Sequence, residues 1–232
     1  MGEEVERQAY LLAGPTASGK SAIAAALARE TGAWILSADS MLVYRGMDIG
    51  TAKPSRGEIE EFHMGGVDIV TPAEPFSSGA WLRAAAEWAK GVPADRPIVI
   101  VGGTGLYFSA LLRGLDRRWE QPPPAYPVIA IDRALVRERI AARLDAMYAE
   151  GLEEERRRLR EEYPVWSATA SAAIGYREGD TREREFVRTC QLAKRQDTWF
   201  RHQSTPIYVE PTVESISDCW RIHGPWKDHF LV

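Results

Sequence analysis

Cysteine is scarce in this chain. Two occur in 232 residues, Cys190 and Cys219, far apart and outside any metal-ligand spacing. That excludes a cysteine zinc cluster and a dense disulfide framework, and points to reduced thiols in the cytoplasm. Long apolar runs are missing as well: none approaches the length needed to cross a membrane. No signal peptide is recognisable ahead of the first strand-like run. Charge of one sign is not in excess, with a formal net charge of −4, so the molecule as a whole is not an evident polyanion binder. Internal repeats and low-complexity segments are also absent. The expectation is a soluble, monomeric, cytoplasmic protein. Its hydrophobic content of 45% suffices for one sizeable core with an appendage.

Against these absences stands one strong motif. Gly14-Pro15-Thr16-Ala17-Ser18-Gly19-Lys20-Ser21 matches G-x-x-x-x-G-K-[ST], a loop that binds a run of phosphates. Residues 9–13 read as a short buried strand leading in, and residues 21–30 as the helix leading out. This context supplies the mechanism, because such a loop aims backbone N–H groups and a helix N-terminus at anionic oxygens. Lys20 would reach the terminal phosphates, and the Ser21 hydroxyl would sit on Mg²⁺.

Strand-like and helical runs alternate through the first half, which predicts a parallel sheet with crossover helices. Further strands are expected at Trp34–Asp39, Val67–Val70, Pro97–Gly103, Val128–Asp132 and Pro206–Glu210. Helices are expected at Ser77–Lys90, Gly105–Arg113, Arg133 to about Tyr163 with a break near Gly151, and Thr181–Gln203. Residues 116–127 contain three consecutive prolines and read as a linker. The tail from Ser215 carries Trp220 and Trp226 without an assignable pattern. The fold class is α/β, a P-loop NTPase-like parallel sheet flanked by helices, with a helical C-terminal portion. One domain is expected over 1–232.

Ligands of open parallel sheets bind at the carboxyl ends of the strands. Asp39 falls there, where it can serve as general base or Mg²⁺ ligand, or simply cap a turn. The glycine-punctuated stretch Tyr44–Pro54 next to it is either functional or a passive surface loop. Gly102-Gly103-Thr104-Gly105 ends another strand on the same rim; it permits close approach to a phosphate, and a tight strand–helix turn explains it equally well. Arg133, Arg137, Arg139 and Arg143 lie at helical spacing, and one near a strand end could clamp a diphosphate. Arg156-Arg157-Arg158, flanked by glutamates, reads as a solvent face laced with ion pairs. Residues Thr181–Gln203 carry six basic and three acidic side chains. Within them Lys194–His202 interleaves cations with aromatics, a composition suited to RNA backbone and bases. A helix with aromatics inward and cations in water has the same composition.

As a set, these motifs resemble the tRNA dimethylallyltransferase (isopentenyltransferase) family. The resemblance rests on Gly14–Ser21, Asp39–Pro54, Gly102–Tyr107, Ile174–Glu178 and Ala193–Trp199, in that order, and covers roughly residues 9–205. It implies transfer of a five-carbon prenyl group from dimethylallyl diphosphate to N6 of adenosine 37, beside the tRNA anticodon. Under the resemblance, Asp39 is the general base, and Thr104 and Lys20 share the catalytic work. Gly14, Thr16, Ala17, Ser18, Gly19, Lys20 and Ser21 hold the diphosphate with Mg²⁺, helped by Arg133 or Arg139. Ser40, Met41, Leu42, Val43, Tyr44, Lys194, Arg195, Gln196 and Trp199 face the RNA. The phosphate loop then grips a leaving diphosphate and hydrolyses no NTP.

One departure is large. Family members usually carry a sizeable helical insertion between the segment matching Gly114-Leu115 and the strand matching Val128–Asp132; here only Asp116–Pro127 joins them. That insertion normally grips the anticodon stem-loop. A compact tRNA enzyme is therefore the first reading and a free adenine nucleotide isopentenyltransferase the second. An ATP-dependent small-molecule kinase and a non-catalytic nucleotide-binding RNA partner follow.

Overall fold

The structure, a computed structural model, describes residues 8–114, 125–203 and 205–225. Five strands, β1 (Ala9–Ala13), β2 (Trp34–Ala38), β3 (Ile98–Gly102), β4 (Tyr126–Ile129) and β5 (Pro206–Val209), form one sheet. Their order is β2-β3-β1-β4-β5, with every pairing parallel. Parallel neighbours need crossover connections. These come from α1 (Lys20–Thr31), α2 (Arg56–Glu61), α3 (Ser78–Lys90), α4 (Gly105–Arg113), α5 (Arg133–Ala149), α6 (Leu152–Glu162), α7 (Ala168–Ser171) and α8 (Arg182–Arg201), while α9 (Val213–His223) follows β5. The α/β architecture expected from the sequence is the one observed.

Side chains alternate across the central strands and divide the core between two faces. Leu11, Leu36, Ile98 and Ile100 join the residues of α3, α4, α5 and α8 on one side. Leu12, Ile35, Val99 and Val101 meet Ile23 and Leu27 of α1 and Ile216 of α9 on the other. Burying each such side chain contributes roughly 1.5–3 kcal/mol.

Two local expectations fail and one unassigned segment takes shape. Val67–Val70 is no strand: Asp68 takes a left-handed φ of 52°, which interrupts extension, and only a lone Tyr44–Val70 bridge remains. The tail, unreadable in sequence, forms α9, whose Trp220 Nε1 donates to Leu11 O at 2.9 Å. The strand expected at Val128–Asp132 starts two residues earlier, and Asp132 caps α5 instead, its carboxylate accepting the Ala134 and Leu135 N–H groups. The break near Gly151 is observed, with that glycine at φ 99° between α5 and α6. Most of the linker 116–127, and Trp226, lie outside the described residues.

Register positions the site. Ala13, Gly102 and Ala38 lie level across β1, β3 and β2. The next residue of each chain segment, Gly14, Gly103 and Asp39, therefore emerges on one rim, as the strand-end argument predicts.

Candidate active site

The phosphate loop spans Gly14–Ser21 between β1 and α1. Two of its residues are left-handed, Ala17 at φ 61° and Gly19 at φ 92°. For a side-chain-bearing alanine this conformation costs on the order of 1 kcal/mol, and such strain concentrates at ligand sites. No side chain caps α1, so its first N–H groups stay open to an anion. The Ser18 hydroxyl is buried and has no hydrogen-bond partner among the described residues. An orphaned polar atom inside an uncapped loop fits a loop shaped around an absent phosphate group.

Two cavities meet at this loop. One, of about 410 Å³, is lined by Thr16, Ala17, Gly19, Lys20 and Ser21 together with Asp39, Thr51 and Arg143. The other, of about 540 Å³, is walled mainly by apolar side chains, among them Ile140, Leu144, Met147, Leu152 and Ile174. Thr16, Asp39, Thr51 and Arg143 belong to both. Asp39 thus stands where the loop-lined space opens into the more apolar one. Its Oδ1 accepts the Met41 N–H at 2.8 Å, the turn-capping alternative raised by the sequence. Its other oxygen makes no hydrogen bond among the described residues and is free for chemistry. Thr104 and Ser40 close this edge: Thr104 Oγ1 accepts the Ser40 N–H at 3.0 Å and contacts Ser40 Oγ at 3.3 Å.

The arginines of α5 separate into roles that spacing alone does not give. Arg139 Nη1 donates to Ala17 O at 3.4 Å and Ser18 O at 3.3 Å, bracing the loop from outside. Arg143, not singled out for diphosphate binding from sequence, reaches Thr16 Oγ1 at 3.4 Å and lines both cavities. Arg133, expected at the diphosphate, lines another groove, of about 300 Å³, which it shares with Pro15 of the phosphate loop, Arg137, Cys190 and Lys194. It sits at the first position of α5, and Arg143 lies ten residues, nearly three turns, further along.

The residues expected to face RNA also separate. Lys194 and Arg195 are exposed on α8. Ser40, Met41 and Leu42 are half-buried, with Ser40 and Met41 lining the apolar cavity and Leu42 the phosphate cavity. Val43 and Tyr44 are fully buried in the core and present no side chain to a partner. Gln196 is turned inward, its Oε1 accepting the Thr16 N–H at 2.8 Å. Trp199 packs over Gly105, where a Cβ would come within 2.5 Å of the indole.

Tyr44–Pro54 is tied to the rest of the fold by named side chains. Lys53 pairs with Asp48 at 2.7 Å and with Asp68 at 2.5 Å, and donates to Tyr44 O at 2.6 Å. Glu155 accepts the Ile49 N–H at 3.0 Å and the Tyr176 hydroxyl. Two of the sequence motifs, Asp39–Pro54 and Ile174–Glu178, are joined through this one carboxylate. Glu155 and Arg156 were both expected on a solvent face. Instead Glu155 is buried, while Arg156 reaches Gly175 O and Glu185. Arg157 and Arg158 keep the exposed role, and Arg157 pairs with Glu154 and Glu161.

Electrostatics favour an anion at the loop. Burial lowers the Lys20 ammonium to about 8, with Asp39 pulling it up and Arg143 pulling it further down. A bound diphosphate would raise the Lys20 ammonium again. Among the described residues no group of three or more His, Cys, Asp or Glu could hold a metal by itself. Mg²⁺ prefers few protein ligands, with substrate phosphates and water completing its shell. Ser21 and Asp39, lining the same cavity, fit that requirement.

Comparison with known proteins agrees with this geometry. The family model described as IPP transferase matches residues 42–127 and 116–203, and one described as isopentenyl transferase matches residues 7–64. The tRNA dimethylallyltransferase of Phenylobacterium zucineum is 42% identical over 72% of this chain and 57% of its own length. That of Geobacter metallireducens is 32% identical over 90% of this chain and 94% of its own. The latter match runs over 293 residues, more than the 232 here, so the relative carries additional residues within the matched span. The structure of a tRNA isopentenylpyrophosphate transferase from Bacillus halodurans shares the fold, with a TM-score of 0.79, 24% identity and 94% of both chains covered. The chain belongs to the tRNA dimethylallyltransferase family.

Proposed function

We propose that this chain transfers a dimethylallyl group from dimethylallyl diphosphate to the N6 amine of an adenosine in tRNA. The observation that carries the reading is the position of Asp39, shared by the phosphate-loop cavity and the apolar cavity. The diphosphate lies in the loop and the five-carbon chain in the apolar space. The acceptor amine approaches at the boundary. Its lone pair forms the new bond to C1 of the prenyl group, the C1–O bond breaks, and that electron pair leaves with the diphosphate. The N6 proton passes to the free oxygen of Asp39. An exocyclic amine is a poor nucleophile, so a positioned carboxylate helps it. Charge building on the leaving group is met by Lys20, Arg143 and the open N–H groups of α1. Mg²⁺, held by the diphosphate with Ser21, would neutralise the same charge. Adenine must leave its stack to enter.

Mixing the purified protein with dimethylallyl diphosphate, Mg²⁺ and unmodified tRNA tests this, with isopentenyladenosine in the recovered tRNA as the expected product. Product from AMP or ADP and none from tRNA overturns the choice of acceptor.

A further inference from the structure

Within two turns α8 carries exposed Lys194 and Arg195 and half-buried Gln196 and Trp199. A shallow surface hollow of about 560 Å³ runs along Gln191, Lys194, Arg195, Thr198, Trp199 and His202. Neither Lys194 nor Arg195 has a carboxylate within ion-pair distance among the described residues, whereas Arg182, Arg188 and Arg201 are paired with Asp145, Asp180 and Asp197. The unpaired cations are thus beside Gln196, which turns inward to the phosphate loop.

Gln196 Oε1 accepts the Thr16 N–H at 2.8 Å, bridging 180 positions of sequence. A backbone N–H can meet only an acceptor, so the amide's orientation is fixed: oxygen on the loop, nitrogen over Gly103. A Cβ at Gly103 would lie 2.6 Å from that nitrogen, so the side-chain-free rim makes room for the amide. Thr16 in turn meets Arg143 and lines both cavities. Among the described residues no other hydrogen bond joins α8 to residues 14–21.

We propose that Gln196 is a positioning residue that couples the phosphate loop to the outer face of α8. Nucleic acid on that face and diphosphate in the loop then favour each other's binding. The inference rests on the proposed function, in which RNA is the acceptor. RNA phosphates held by Lys194 and Arg195 restrain the turn that carries Gln196, which holds Thr16 in its ligand-bound place. A filled loop fixes Thr16 and, through it, α8. The effect is reciprocal by thermodynamic necessity.

Calorimetric titration of the full chain with inorganic pyrophosphate and Mg²⁺, with and without an unmodified anticodon stem-loop, tests the coupling. In the native protein the RNA tightens pyrophosphate about fivefold or more, within the usual range of such couplings. Gln196→Met, with circular dichroism unchanged, weakens pyrophosphate alone and brings the ratio to about one. Gln196→Glu keeps an oxygen for Thr16, so it retains most of the ratio although its charge lowers affinity in both arms. A ratio of one in the native chain, an unchanged ratio in Gln196→Met, or loss of the ratio in Gln196→Glu overturns the proposal; the last still decides it if Gln196→Met does not fold. The prenyl-transfer assay reads the function separately. Transfer with a ratio of one overturns the coupling alone, and a ratio above one without transfer overturns the function alone.

Discussion

Asp39 reaches the active-site rim with one carboxylate oxygen already spent on the Met41 N–H and the other free. Asp39→Asn keeps a side-chain oxygen for that turn and removes the base. Single-turnover transfer should fall about a hundredfold or more, while pyrophosphate binding holds or tightens, because a negative charge near the loop is lost. Equal losses in both measurements would assign Asp39 to the fold rather than to the reaction. Lys20 gives a second test at this scale. Its ammonium is lowered to about 8, so the ligand-free protein loses this cation as pH rises through 8, whereas a bound diphosphate holds the proton on. Pyrophosphate affinity should therefore decline above pH about 8, with proton uptake on binding visible as a dependence of the heat on buffer ionisation. Affinity flat from pH 7 to 9 would contradict it. The placement of the phosphate loop and Asp39 on one rim was legible because both follow strand ends that local sequence marks. Arg143 was not, because four arginines at helical spacing do not say which of them meets a loop some 120 residues away.

Helix α6 shows how an element can mislead. Its glutamates and arginines suggest a wet face, and Arg157 obeys. Arg156 instead spans to Glu185, whose side chain is 0% exposed. Burial raises the Glu185 carboxyl, and the Arg156 guanidinium pulls it back down. Removing one member of a buried pair leaves an uncompensated charge, whereas replacing both with apolar groups is often neutral. Arg156→Met should cost about 3 kcal/mol of unfolding free energy, and Arg156→Met with Glu185→Leu should recover most of it, as read by denaturant titration. A double variant no better than the single would show that the pair does not act as a unit. The strands and helices that carry hydrophobic periodicity were readable, and so was the glycine break between α5 and α6. Val67–Val70 was misread because four apolar-leaning residues cannot reveal a left-handed Asp68. The Trp220 bond to Leu11 O joins residues 209 apart, so no local pattern announces α9.

For the molecule as a whole, the match to the family model breaks into two pieces that meet at residues 116–127. For the tRNA acceptor proposed above, the described surface offers α8, which carries six Lys or Arg side chains, more than any other described helix. Helix α8 has 20 residues, which is about 30 Å, enough for a stem-loop and too short for an entire tRNA. An isolated anticodon stem-loop should therefore be prenylated with a kcat/KM within about threefold of full tRNA. Each RNA phosphate that the protein no longer neutralises lowers the slope of log K against log salt by about 1. Lys194→Ala with Arg195→Ala should thus flatten the salt dependence of stem-loop binding by about 1 to 2 and weaken all RNA sequences alike. A stem-loop far poorer than tRNA, or a salt slope untouched by the pair of substitutions, would place the RNA grip elsewhere on the chain. The two results together decide whether a chain lacking its relatives' extra residues holds its acceptor by α8 alone.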